Sequence, residues 1–133
     1  MNLPDTKTCA WLFLTVSEQP TSLQQVIGTA DAINHAIPML DELRMGLGWL
    51  QAQGLIEKQG ESWLLTKAGA ALRESVSHKR KILDVWDAMD ATFARMPAVA
   101  FQPDDLSQAH LDAACRAYVG SLQTSTLAYS QAP

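Results

Sequence analysis

Apolar residues recur at steps of three and four through most of this chain, and the interruptions fall at Pro, Gly and Asn. Cys9, Leu12, Phe13 and Val16 mark a first helix that starts with Asp5 or Thr6 as its cap and ends at Pro20. Thr21 and Ser22 then offer a second cap, with Gln24 and Gln25 placed three residues on, as a capping box requires. Leu23, Val26, Ile27, Ala30 and Ile33 share one face, which predicts a second helix over about residues 22–33, closed at Asn34 and His35. Pro38 suits a first helical turn, so a third helix is expected over 39–53 with Leu40, Leu43, Leu47 and Leu50 as its stripe. Gly54 stands where a C-terminal cap needs a positive φ angle, and Leu55 can fold back onto Leu50.

From Leu55 the period changes to two. Residues 55–59 and 62–65 read as short strands about a tight turn at Gly60 and Glu61. Thr66 caps a fourth helix carrying Ala68, Leu72 and Val76, which either breaks at 75–77 or continues into the stripe Leu83, Trp86, Phe93 and Met96. Residues 97–104, with two prolines, read as a linker. Asp105 and Gln108 form a further capping pair, and Leu111, Cys115, Tyr118 and Leu122 define a last helix over about 105–123.

Three helices, a hairpin and a helix, in that order, is the winged-helix succession. The segment GLIEKQGESWLLTKAGAAL at 54–72 resembles the wing and the LTxxGxxL helix start of MarR-like and PadR-like regulators. ADAINHAIPMLDEL at 30–43 is similar to a segment of small bacterial winged-helix proteins. The resemblance implies a mainly α fold: a winged helix-turn-helix domain over 6–75 with a two-stranded β-hairpin wing, extended by C-terminal helices over 76–133. It also implies that the third helix is a recognition helix entering a DNA major groove. Arg44 and Gln51 would then read bases, while Lys58 on the wing and Lys79, Arg80 and Lys81 would hold phosphate. The extension, with an apolar stripe left over, is expected to form a homodimer.

Charge points the other way. Residues 1–75 hold five basic and eight acidic side chains, a net −3. Asp41 and Glu42 open the third helix, where they complement its dipole but repel phosphate. The wing sets Glu57 and Glu61 against Lys58. DNA readers normally carry a basic footprint, because neutralised phosphates supply most of the affinity. The competing expectation is a protein-interaction module. Met45 and Trp49 lie four apart, off the leucine stripe of the third helix, and predict a partly exposed apolar patch beside its acidic start. The resemblance favours DNA as partner and the residues favour protein, with a DNA-binding transcriptional regulator as the leading expectation by a narrow margin.

No enzyme signature is present: neither GxSxG nor HExxH occurs, and Gly46-Leu47-Gly48 lies inside a helix rather than after a strand, where it would permit close packing. His110 and Asp112 are two apart and do not share a helix face, so no metal site is expected, nor any cofactor. His35 is expected to order the turn it sits in. Cys9 and Cys115 fall on apolar stripes with no CxxC spacing, as free buried thiols would. The longest apolar stretch, residues 9–16, is far shorter than the roughly 20 residues a bilayer needs, and it lacks the flanks of a signal peptide. A cytoplasmic protein with no membrane contact is therefore expected.

Overall fold

The first helix, α1 (Thr6–Phe13), begins where the Asp5 carboxylate accepts from the Lys7 amide. It stops at Phe13, well before Pro20. The reason lies in hydroxyls that take over backbone partners: Thr15 Oγ1 donates to the Leu12 carbonyl at 2.6 Å, and Ser17 and Thr21 bond each other across the bend that follows. That bend releases Thr21–Ser22 as a short strand, β1, which the sequence pattern did not predict. Ser22 also caps α2 (Leu23–Asn34) through a complete capping box: its Oγ accepts from the Gln25 amide, and Gln25 Oε1 accepts from the Ser22 amide at 2.8 Å. The left-handed residue closing α2 is His35, at φ 53°, and not Asn34.

Helix α3 (Leu40–Ala52) opens with Glu42 Oε1 accepting from the Met39 amide, and Gly54 ends it at φ 74°. The Leu55 amide then donates to Leu50 O. Leu43, Leu47 and Leu50 are wholly buried, as the stripe requires. The hairpin follows as β2 (Ile56–Gln59) and β3 (Ser62–Leu65), antiparallel, with Lys58 opposite Trp63. β1 adds to the other edge of β3, so the sheet has three strands in the order β1-β3-β2. Thr66 caps α4 (Lys67–Ser77) by accepting from the Gly69 amide.

The structure, a computed structural model, describes residues 5–78 and 81–130, with side chains as far as Leu122. Between the two readings left open by the sequence it takes the break: α4 ends at Ser77 and α5 (Ile82–Ala94) is a separate helix. α5 lies along α1, with Trp86 stacked on Trp11 at 6.1 Å between ring centroids and Phe93 against Phe13 at 5.4 Å. The Trp86 indole donates to Lys7 O, and Thr6 donates to Asp90. α1 thus runs between α3 and α5 in one continuous core, to which residues on both sides of position 75 contribute.

Two expectations need correction. Trp49 is not part of an exposed patch: it is 5% exposed and packs on Phe93 at 5.0 Å between centroids. Met45 is half-buried against the same core. The arrival of α5 covers this flank of α3, which spacing within α3 alone could not reveal. Residues 97–104 are likewise no free linker, because Phe101 and Asp104 are buried, as is Leu106 just after them. The last helix, α6 (Gln108–Ser130), starts later than expected, with Ser107 Oγ accepting from the His110 amide in place of an Asp105 cap. It lies on α2, where Tyr118 donates to Asp31 at 2.7 Å and its ring meets Gly28. Among the described residues no helix is long and apolar enough to cross a membrane, and Cys9 and Cys115 are free thiols, the first buried and the second half-buried.

Candidate functional site

Arg44, Gly48 and Gln51 recur on α3 at the steps that place residues on one flank of a helix. That flank carries the residues expected to read bases. A strap formed by residues 97–107 runs over it. Gln53 Nε2 donates to Pro97 O at 3.1 Å, where the strap begins. Further on, the Asp104 amide donates to Arg44 O at 2.8 Å, and Arg44 Nε donates back to Asp104 O at 3.2 Å. Gly48 allows the approach between these points: a Cβ there would stand 2.1 Å from the Gln102 carbonyl oxygen. Gly46 serves the opposite side of α3 in the same way, with Leu12 against it. The expectation that both glycines permit close packing holds, with the strap backbone rather than a helix on the Gly48 side.

The Asp104 carboxylate is the centre of the arrangement. Its side chain is 1% exposed and accepts from Gln51 Nε2 at 2.8 Å, Trp63 Nε1 at 3.0 Å, Lys58 Nζ at 2.9 Å and the Leu106 amide at 3.0 Å. Three of these donors come from α3 and the hairpin, and one from the strap itself. Lys58 also pairs with Asp105 and lies over the Trp63 ring. Burial pushes the Asp104 carboxyl up, but the hydrogen bonds from Lys58, Trp63 and Gln51, together with the Lys58 charge, outweigh it, so the group titrates below the ordinary carboxylate range. Burial pulls the Lys58 ammonium down, while its bonds to Asp105 and Asp104 more than offset this and raise it. An open groove of about 560 Å³ remains beside the strap, between Gly48, Ala52 and Lys58 on one side and Ala100, Gln102 and Asp105 on the other.

No protein-family model matches the chain, and neither does any characterised protein or solved structure.

Arg44, Gln51 and Lys58 are thus brought together at Asp104, Gln51 and Lys58 on its buried carboxylate and the exposed Arg44 on its backbone carbonyl. Lys81 is exposed on a different element, just before α5, and Lys79 and Arg80 lie outside the described residues. With Met45 and Trp49 packed inward, exposed apolar side chains near α3 occur instead at Ile37 (40% exposed) and Met39 (68%), flanking the acidic start of the helix. Sequence reasoning missed Asp104 altogether. The available signal was local: a Pro-Asp pair set between Phe101 and Leu106, where an aspartate can bond the amide two residues on.

Proposed function

We propose that this protein is a winged-helix protein-interaction module, non-enzymatic and cytoplasmic, and not a sequence reader of DNA. The element order α1-β1-α2-α3-β2-β3 and the LTxxGxxL segment at the start of α4 support the winged-helix reading. One observation carries the choice of partner: the α3 flank that would enter a major groove is covered by the chain's own strap, and Arg44, Gln51 and Lys58 are engaged by Asp104. At its N-terminal end, α3 and its preceding turn leave outward Ile37, Met39 and Asp41, an apolar and acidic surface suited to a protein, with Arg44 exposed one turn further on and bonded through Nε to the strap.

The test is fluorescence anisotropy on mixed-sequence duplex DNA across a salt series. The expected result is weak binding with a shallow salt slope, on the order of −0.9 per phosphate contact in log–log form. Nanomolar, sequence-selective binding would overturn the proposal. A DNA-binding role keeps one observation in its favour, that Arg44, Gln51 and Lys58 do converge; it requires the strap to lift, and predicts that strap variants bind duplex when the wild type does not. Self-association was expected from the α6 stripe, of which Leu111, Cys115 and Tyr118 pack within the chain while Leu122 is 47% exposed, so any such interface would centre on Leu122 and its neighbours. Sedimentation equilibrium decides it, with Val119 on the outer face of α6 as the first position to charge.

A further inference from the structure

The strap has the anatomy of a bound peptide. It contains no helix or strand between Arg95 and Ser107. Two apolar anchors, Phe101 and Leu106, are buried five positions apart, while Gln102, Pro103 and Asp105 between them are exposed. A main-chain bond grips it at Asp104, the Gln53 side chain donates to its Pro97 carbonyl, and a residue without a Cβ, Gly48, lets its backbone lie against α3. Charge selection is supplied at one position, where Gln51, Lys58 and Trp63 converge on a single carboxylate. Side-chain anchors, backbone pairing and one charge-specific position are how folded domains recognise extended peptides. Without Asp104 the buried Trp63 indole would lose the acceptor it has here, a costly state that another acceptor resolves, while Gln51 would keep the Leu47 carbonyl and Lys58 would keep Asp105.

We propose that the α3 flank and the hairpin form a receptor for an extended acidic peptide of the pattern Phe-x-Pro-Asp-x-Leu, and that residues 101–106 occupy it in cis. This rests on the protein-interaction reading and names the class of partner. The occupant is tethered, and a short tether supplies an effective concentration in the millimolar range. A free partner peptide therefore competes poorly until the strap is loosened. The receptor selects the carboxylate at the position of Asp104 over an amide, because Lys58 contributes a charge-assisted bond that Asn cannot return.

The experiment uses the full chain carrying Phe101→Ala and Asp104→Ala, which empties an anchor and the donor cluster. Its probes are a labelled peptide of residues 100–107 and the same peptide with Asn at the Asp104 position. The opened variant should bind the Asp peptide at least about tenfold more tightly than the wild type does, and the Asn peptide about tenfold more weakly than the Asp peptide. Folded variant protein that binds neither peptide, or both equally, would overturn the receptor while leaving the interaction-module reading in place. Variant protein that ignores the peptides and gains salt-dependent duplex binding would overturn that reading as well. Should the variant fail to fold, amide hydrogen exchange on the wild type decides the matter. Several millimolar Asp peptide should accelerate exchange at Asp104 and Leu106, and an unchanged rate would overturn the proposal.

Discussion

The two flanks of α3 are held in opposite ways. On one, Leu43, Leu47 and Leu50 enter a core shared with α1 and α5, where contacts are numerous, individually small and without direction. On the other, Arg44, Gly48 and Gln51 meet the strap through a few directed bonds and one close backbone approach. The first flank follows from apolar spacing and tolerates any residue of the right shape. The second depends on particular atoms, so conservative changes there should have effects out of proportion to their size.

The largest test lies on the apolar flank. Leu47→Ala should destabilise by about 2–5 kcal/mol in denaturant unfolding, as cavities in packed cores do. A loss under about half a kcal/mol would mean that the flank is not core at all. Next comes Asp104→Asn, at about 1.5–3 kcal/mol, the scale of a lost hydrogen bond to a charged group. Lys58 keeps Asp105 as a partner in that variant, so no buried charge is stranded. Acid should reproduce the effect in the wild type. Because the Asp104 carboxyl is depressed in the folded protein, its contribution is complete above the ordinary value of 3.8 and is lost as pH falls through the lower folded value. Urea midpoints measured downward from about pH 5 should therefore fall more steeply for the wild type than for Asp104→Asn.

Gly48→Ala sharpens the comparison by its sign. Inside a helix this change ordinarily stabilises by up to about 1 kcal/mol. Here the added carbon meets a backbone carbonyl, so a net loss of about 1–2 kcal/mol is expected, with faster amide exchange at Asp104. A stabilised variant would show that the strap is not seated on α3. The smallest effect belongs to Asp105→Asn. Asp105 shares Lys58 with Asp104, yet its side chain is 91% exposed, so its loss should cost no more than about half a kcal/mol.

The same contrast explains what could be read from the amino acids alone. The stripes of α1, α2 and α3, the caps Asp5, Ser22 and Thr66, and the hairpin are encoded within a few residues of themselves, and they were legible. The burial of Leu43, Leu47 and Leu50 followed from them. Trp49 was misjudged because its partner Phe93 comes from a helix far along the chain. The end of α1 was misplaced because Thr15, Ser17 and Thr21 compete for backbone groups before Pro20 is reached. The strap was read as a linker because its buried residues follow neither a helical nor a strand period, and a buried aspartate has no signature until its donors are assembled around it. Of the residues expected to contact DNA, Gln51 and Lys58 meet on a carboxylate, and Arg44 on the same residue's backbone carbonyl, that spacing along the chain did not point to.

The two thiols have a practical consequence. Burial, with the charge of Asp5 adding to it, pushes the Cys9 thiol up to about 12, so folded protein holds almost no thiolate there and almost no path to it. Cys115, only half-buried on α6, is partly reachable in the folded protein, with its thiol raised by burial and by the charge of Asp112. One alkylating reagent followed by mass spectrometry therefore runs two clocks in the same tube. Adducts at Cys115 accumulate on the folded protein, and adducts at Cys9 count unfolding of the core.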